Sequence, residues 1–233
     1  MSATGRSDVR HPDDFYSTPA WATIALLRVL GLPSRSTVLD PACGEGAILE
    51  VVRQLGHVTV GVELDADRAG RARGQGHFVT TGDALAFAEW PGAADAIVMN
   101  PPYTLAMEFV VRAIAEARPW GIDVAALLRL PWLASVGRAA FHREHPSDVC
   151  VLPRRPEFAA SIKCKGRKRE KGDARPPCSW SVLLPIDAPR FSACPLCGSK
   201  VDTVTTDATD YAWFVWGPGR GGRWSILTTP EAA

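Results

Sequence analysis

Between Thr37 and Leu130 the chain alternates short apolar runs with longer amphipathic stretches, and this alternation restricts the fold more than any other feature. Val38-Leu39-Asp40, Val58–Val62, His77–Thr80, Ala96–Met99 and Val124–Leu130 read as strands. Ala47–Leu55, Ala66–Arg73 and Ala106–Ala117 read as helices, the last closed by Pro119. Strands apolar on both faces need cover on both faces, and helices between successive strands supply it. The pattern predicts an α/β fold on a mostly parallel sheet. In such sheets ligands bind beyond the carboxyl ends of the strands. Upstream, Ser17-Thr18-Pro19 precedes the apolar Ala20–Leu30. That order predicts a helix with Thr18 as its cap and Pro19 in its first turn, ended by Gly31-Leu32-Pro33.

After Pro131 the regularity breaks. Val149–Leu152 reads as a strand, and so does Tyr211–Trp216, bounded by Gly217-Pro218-Gly219. The 58 residues between them hold four cysteines and a strongly basic segment. That is too long for a hairpin loop. The expected organisation is a body formed by residues 1–158 and 205–233, interrupted by a small module over residues 159–204. The aromatics Trp213, Phe214 and Trp216 read as sheet core.

Charge is unevenly spread. From Arg154 to Arg175 nine Lys and Arg stand against three acids, a local charge of +6 in a chain of net +1, which leaves the remainder at −5. A concentrated basic segment on a mildly acidic body points to local contact with a polyanion. The unbroken apolar runs, such as Val124–Leu128, fall far short of the ~20 residues that cross a bilayer. The first thirty residues carry Asp8, Asp13 and Asp14 and lack the basic start and apolar stretch of a secretion signal. A cytoplasmic location is expected, with the six cysteines as thiols or metal ligands.

The chemistry sits at the strand ends. Asp40-Pro41-Ala42-Cys43-Gly44-Glu45-Gly46 follows the first strand and opens a helix, and its glycines let the backbone approach a ligand closely. Glu63 ends the second strand, where an acid accepts hydrogen bonds from ribose hydroxyls. Asp83 follows the third. The fourth strand runs straight into Asn100-Pro101-Pro102-Tyr103. Two prolines fix the backbone and remove two donors, leaving carbonyl acceptors in a rigid turn. The Asn100 amide oxygen and the Pro101 carbonyl can then both accept from one exocyclic amino group, while Tyr103 offers a ring to a planar base. Accepting both N–H bonds favours a pyramidal nitrogen with an available lone pair.

These motifs resemble the S-adenosylmethionine-dependent DNA amino-methyltransferases, and most of all the small adenine-N6 enzymes of phage and prophage type. The similarity covers roughly residues 13–130, 149–158 and 211–217, in a gamma-like motif order. It implies a Rossmann-like methyltransferase fold with a C-terminal antiparallel hairpin. It also implies that Phe15-Tyr16-Ser17-Thr18-Pro19 contacts the methionine end of the cofactor, with Tyr16 and Thr18 as its binding residues. By the same resemblance Asp40, Ala42 and Gly44 form the methionine loop, Glu63 and Leu64 hold the ribose and Asp83 the cofactor adenine. Asn100, Pro101, Pro102 and Tyr103 would hold the target base, and Phe158 in Pro153–Phe158 would stack on its other face. A base within a duplex must be flipped out to be reached. Arg154, Arg155, Lys163, Lys165, Arg167, Lys168, Arg169 and Lys171 are the phosphate candidates on double-stranded DNA. Cytosine-N4 methylation of DNA and glutamine-N5 methylation of a protein use the same turn. An idle fold in a zinc-containing nucleic-acid-binding protein is the reading without an enzyme.

Cys194-Pro195-Leu196-Cys197-Gly198 has the form of a zinc knuckle. With Cys164 and Cys178 it would make a four-thiolate structural site. Free thiols and a disulfide are the alternatives. Cys43 and Cys150 lie outside this group.

Overall fold

The computed structural model describes residues 16–156, 159–164, 181–185, 192–205 and 209–229. The chain divides into two compact units, one of Asp13–Pro156 with Thr209–Ala233 and the other of Met1–Pro12 with Glu157–Ala208.

In chain order the elements are α1 (Ala20–Leu30), β1 (Thr37–Asp40), α2 (Ala47–Gln54), β2 (Val58–Glu63), α3 (Ala66–Gly74), β3 (Phe78–Thr81), β4 (Ala96–Met99), α4 (Ala106–Ala117), β5 (Asp123–Arg129), α5 (Ala139–Glu144) and β6 (Asp148–Val151). The second unit contributes β7 (Ala159–Cys164), β8 (Ser181–Pro185) and β9 (Val201–Thr205), and the first resumes with β10 (Tyr211–Trp216) and β11 (Trp224–Ile226).

The larger unit carries an eight-stranded sheet in the order β11-β6-β10-β5-β4-β1-β2-β3. β1 pairs parallel with β2 and β4, β2 with β3, and β4 with β5. Only β10 runs against its neighbours, antiparallel to both β5 and β6. The strand order reverses between β1 and β4, which opens the crevice where sheets of this type bind ligands. β4 is buried at every position and so is β10, as strands covered on both faces must be. α4 buries Ala106, Phe109, Val110, Ala113 and Ala117, a helical stripe at i, i+3, i+4, i+7 and i+11. That stripe lies in one core with Leu39, Ile97, Met99, Leu128 and Phe214. Trp213 is fully buried and its indole N–H donates to the Ala22 carbonyl at 3.0 Å, fastening β10 to α1. The expected sheet, antiparallel C-terminal strand included, is the one observed.

Two details of α1 differ from the sequence expectation. Pro19 is the cap residue, with extended backbone (ψ 137°), and no side chain caps the helix. The Thr18 hydroxyl is engaged elsewhere, as described below. β11, a parallel edge strand on β6, and the six-residue α5 carry no pattern that announces them.

The smaller unit holds a three-stranded antiparallel sheet in the order β8-β7-β9. Among the described residues no helix is long and apolar enough to cross a membrane.

Candidate active site

The loop after β1 turns on two glycines with positive φ, Gly44 (+56°) and Gly46 (+92°), a conformation that L side chains resist. A Cβ at Gly46 would also lie 2.9 Å from the His77 ring. His77 is buried there with Nδ1 3.0 Å from the Thr59 hydroxyl, and burial holds its imidazole below the usual range despite the pull of Glu50. Cys43 fills the space over Gly61, whose Cβ would lie 2.7 Å from the sulfur. Burial and the neighbouring Asp40 and Glu63 drive the Cys43 thiol far upward, which suits packing rather than reactivity.

Three carboxylates stand at successive strand ends. Asp40 closes β1, is 1% exposed and accepts the Ala42 amide at 3.0 Å. Burial, aided by the charge of Glu63 and opposed by that amide, pushes its carboxyl up to about 8. Glu63 closes β2 and is 6% exposed. One of its oxygens accepts the Gly44 amide at 2.8 Å, and the other accepts the Asp65 amide at 2.9 Å and the Arg68 guanidinium at 3.1 Å. Glu63 thus locks the glycine loop to the start of α3, whose first turn is capped by Asp65 on the Arg68 amide. Leu64 beside it is largely exposed. Asp83 lies on the surface after β3, with one oxygen accepting the Leu85 amide at 2.9 Å.

The corner after β4 is tied to the start of the described chain. The Asn100 side-chain nitrogen donates to the Tyr16 carbonyl at 2.9 Å and to the Thr18 hydroxyl at 3.0 Å. Those two donations fix which way the amide points. Its oxygen accepts the Tyr103 hydroxyl at 3.1 Å and has a second lone pair beyond that bond. Pro101 is buried, while Asn100, Pro102 and Tyr103 are partly exposed. All three tyrosines of the chain meet here. The Tyr16 ring stacks on Tyr103 at 5.8 Å and 25°, and Tyr211 leans on Tyr103 at 5.8 Å and 46°. The Arg129 guanidinium lies 4.8 Å over the Tyr103 ring, and its Nε donates to the Tyr211 hydroxyl at 3.2 Å.

The fold therefore brings together Tyr16, Thr18, Asn100, Pro101, Pro102 and Tyr103 at one corner, and Asp40, Ala42, Gly44 and Glu63 around one loop. Arg154 stacks over Trp21 at 4.6 Å, and Arg155 pairs with Asp210 at 2.8 Å, both arginines being exposed. Phe158, Lys165, Arg167, Lys168, Arg169, Lys171 and Cys178 lie outside the described residues, as does the side chain of Lys163. Two residues of the corner escaped the sequence reading, Arg129 and Tyr211. They face each other in the β5–β10 register. The signal for Arg129 is a lone cation closing the apolar Val-Ala-Ala-Leu-Leu, at the sheet end where ligands bind.

No family model matches the chain, and no curated protein matches it. Solved structures do. The methyltransferase subunit of a type I restriction-modification system from Streptococcus thermophilus superposes with TM-score 0.56 at 14% identity, over 91% of this chain and 47% of that one. The modification subunit of a provisionally named type I restriction enzyme from Vibrio vulnificus gives 0.53 at 15% identity, over 99% and 49%. A protein from Pyrococcus horikoshii provisionally named an RNA methyltransferase gives 0.51 at 16% identity, over 92% and 94%. The chain thus spans about half the length of the two restriction-system subunits. At these identities the likeness establishes the fold, which is the Rossmann-like fold of methyltransferases.

Proposed function

We propose that this protein transfers a methyl group from S-adenosylmethionine to the N6 amino group of adenine in double-stranded DNA, with the base flipped out of the helix. The observation that carries the reading is the Asn100–Tyr103 corner. It lies at the reversal of strand order, beside the glycine loop, with its amide oriented by two hydrogen bonds to Tyr16 and Thr18. The restriction-system neighbours support DNA as the substrate, and the location follows from it as the cytoplasm of a bacterial or phage-infected cell.

What supports this cofactor is the set of acids at three successive strand ends around a glycine turn. Asp40 and the loop through Gly44 would hold the methionine end, Glu63 and Leu64 the ribose, and Asp83 the adenine amino group. S-Adenosylmethionine supplies a sulfonium methyl whose C–S bond breaks as the new N–C bond forms, the electron pair staying on sulfur. The Asn100 oxygen and the Pro101 carbonyl accept the two N–H bonds of the target and stabilise the positive charge that develops on nitrogen. The departing proton then passes to solvent. Tyr103 holds its hydroxyl on the Asn100 oxygen, so the acceptor is oriented before the base arrives.

The test is Asn100→Ala. Methylation should fall by at least about 100-fold, as when one charge-stabilising partner is removed. Cofactor binding, followed by calorimetry, should persist. Full activity in the variant overturns the assignment. Digestion of the wild-type DNA product to nucleosides should yield N6-methyladenine; N4-methylcytosine there, a methylated ribonucleoside from RNA, or methylglutamine in a peptide digest of protein would replace the substrate named here.

A further inference from the structure

We propose that Cys164, Cys194 and Cys197 bind a zinc ion that holds the smaller unit together and anchors the basic stretch that leaves β7. The three sulfurs lie within 4.8 Å of one another, and those of Cys164 and Cys197 are 3.4 Å apart. A Zn–S distance of ~2.3 Å in a tetrahedron places sulfurs ~3.8 Å apart, so the trio has the spacing of one face of such a site. A disulfide would use two cysteines and leave the convergence of the third unexplained. Three soft sulfur ligands with no carboxylate among them select zinc over magnesium or calcium.

The backbone supports the same geometry from two directions. Cys164 ends β7 and faces Val201 of β9 in the antiparallel register. Cys194 and Cys197 flank the tight turn just before β9. Within it the Gly198 amide donates to the Cys194 carbonyl at 2.8 Å, and the Cys194 amide donates to the Ser199 carbonyl at 2.8 Å. Gly198 takes φ +69°, the conformation that lets the chain fold back after the second cysteine. Ala193 and Lys200 close the turn as an isolated bridge. Cys194 is buried, and the other two are partly exposed.

The composition of the unit suits such a staple. Of the 64 residues of that unit, Met1–Pro12 with Glu157–Ala208, twelve are Val, Ile, Leu, Phe or Trp. A unit this short and this poor in large apolar side chains is of the kind that a metal or disulfide commonly supports. Metal binding supplies that support directly, because the site does not exist in the unfolded chain. The position of Cys164 gives the ion a second consequence. Residues 165–177 follow it immediately and carry six Lys or Arg against two acids, with Cys178, the fourth ligand expected from the sequence, next in line. The root of the most basic stretch in the chain is then held by a ligand. Zinc binding does not depend on the proposed function, whereas the anchoring role rests on its choice of DNA.

The experiment uses the full chain, purified reduced and without added metal or chelator. Mass spectrometry of the metal content should find about one zinc per chain, lost in Cys197→Ser and in Cys194→Ser. Where a variant fails to fold, cobalt(II) exchanged into the wild-type protein should give the intense ligand-field bands of a tetrahedral thiolate site. Less than about a tenth of an equivalent of zinc, or a cobalt spectrum of octahedral form, overturns the site. So does a thiol titration showing Cys164 and Cys197 oxidised together. Chelation of the zinc should weaken binding to a random-sequence duplex at least tenfold and reduce its salt dependence. Unchanged binding after complete zinc removal overturns the anchoring role.

Discussion

Replacing Asp40 by Asn tests the charge at the base of the cofactor loop. The carboxyl of Asp40 is buried and pushed up to about 8, mainly by that burial. In the unfolded chain an aspartate ionises near ~3.9. Between these values the native protein keeps a proton that the unfolded chain has released. Stability from this group is therefore complete below about pH 4, declines as pH rises and reaches its floor above about pH 8. At ~1.4 kcal/mol per pH unit, roughly four units give an upper bound on the order of 5 kcal/mol. Relaxation around a buried charge makes the observable loss smaller than this bound. The amide introduced by Asp40→Asn cannot ionise, yet it retains an oxygen for the Ala42 N–H. Urea unfolding at pH 5, 6, 7 and 8 should show a midpoint that falls with pH in the wild type and falls much less in Asp40→Asn. The difference between the two proteins removes the contribution of the histidines, which both share. Identical pH profiles would refute the reasoning. Under the proposed function the cationic amino group of S-adenosylmethionine favours the ionised carboxylate. Cofactor binding at pH 7 should then release up to about one proton, read by calorimetry in buffers of different ionisation enthalpy. The Asp40→Asn variant should bind more weakly and release none.

Two further outcomes follow from the same contacts. Tyr103→Phe removes the hydroxyl that donates to Asn100 but keeps the ring, so kcat should fall several-fold with KM for DNA little changed. Tyr103→Ala should lose in addition a stacking contribution of ~1–3 kcal/mol, read as weaker kcat/KM. At the other end of the sheet, burial raises the Asp148 carboxyl, but hydrogen bonds from the Arg223 side chain and from the Gly221 and Arg223 amides outweigh it and hold it below the ordinary range. The stability it contributes is present above about pH 4 and is lost as pH falls through its depressed value. Asp148→Asn should cost about 2 kcal/mol at neutral pH and flatten that acid loss in a urea series.

What the sequence revealed and what it hid have physical reasons. β4, α4 and β10 fall on the residues expected, because each is an uninterrupted apolar or amphipathic run followed within two residues by Asn, Pro or Gly. Thr18 shows the limit of local rules. Its place before Pro19 and an apolar run predicts a cap, but its hydroxyl accepts from Asn100, 82 residues downstream. No window along the chain contains that partner. The same holds for Arg129 and Tyr211, which become neighbours only when β10 is inserted beside β5. β11 has three exposed residues and owes its form to the edge it joins on β6. β7 and β9 are short and mix small, polar and β-branched residues, so the cysteines were a clearer guide to that unit than its strands.

The crowding at Tyr103 bears on how a base could be accepted. Tyr16 stacks on its ring at 25°, and Arg129 sits over the ring at 4.8 Å. A flipped base needs one of these faces. Tyr16 is the poorer candidate to leave, because its carbonyl holds the Asn100 amide in position, and withdrawing it would disorient the acceptor that the chemistry uses. Arg129 would give up the cation–π contact and its hydrogen bond to the Tyr211 hydroxyl. A guanidinium over an exposed aromatic face contributes ~0.5–1 kcal/mol, whereas a base stacked on the same face contributes ~1–3 kcal/mol. With ~1 kcal/mol for that hydrogen bond the exchange is close to balanced, and the Asn100 amide is spared. Under the proposed function the base would enter on the Arg129 side, leaving the Asn100 amide tethered to Tyr16 and Thr18.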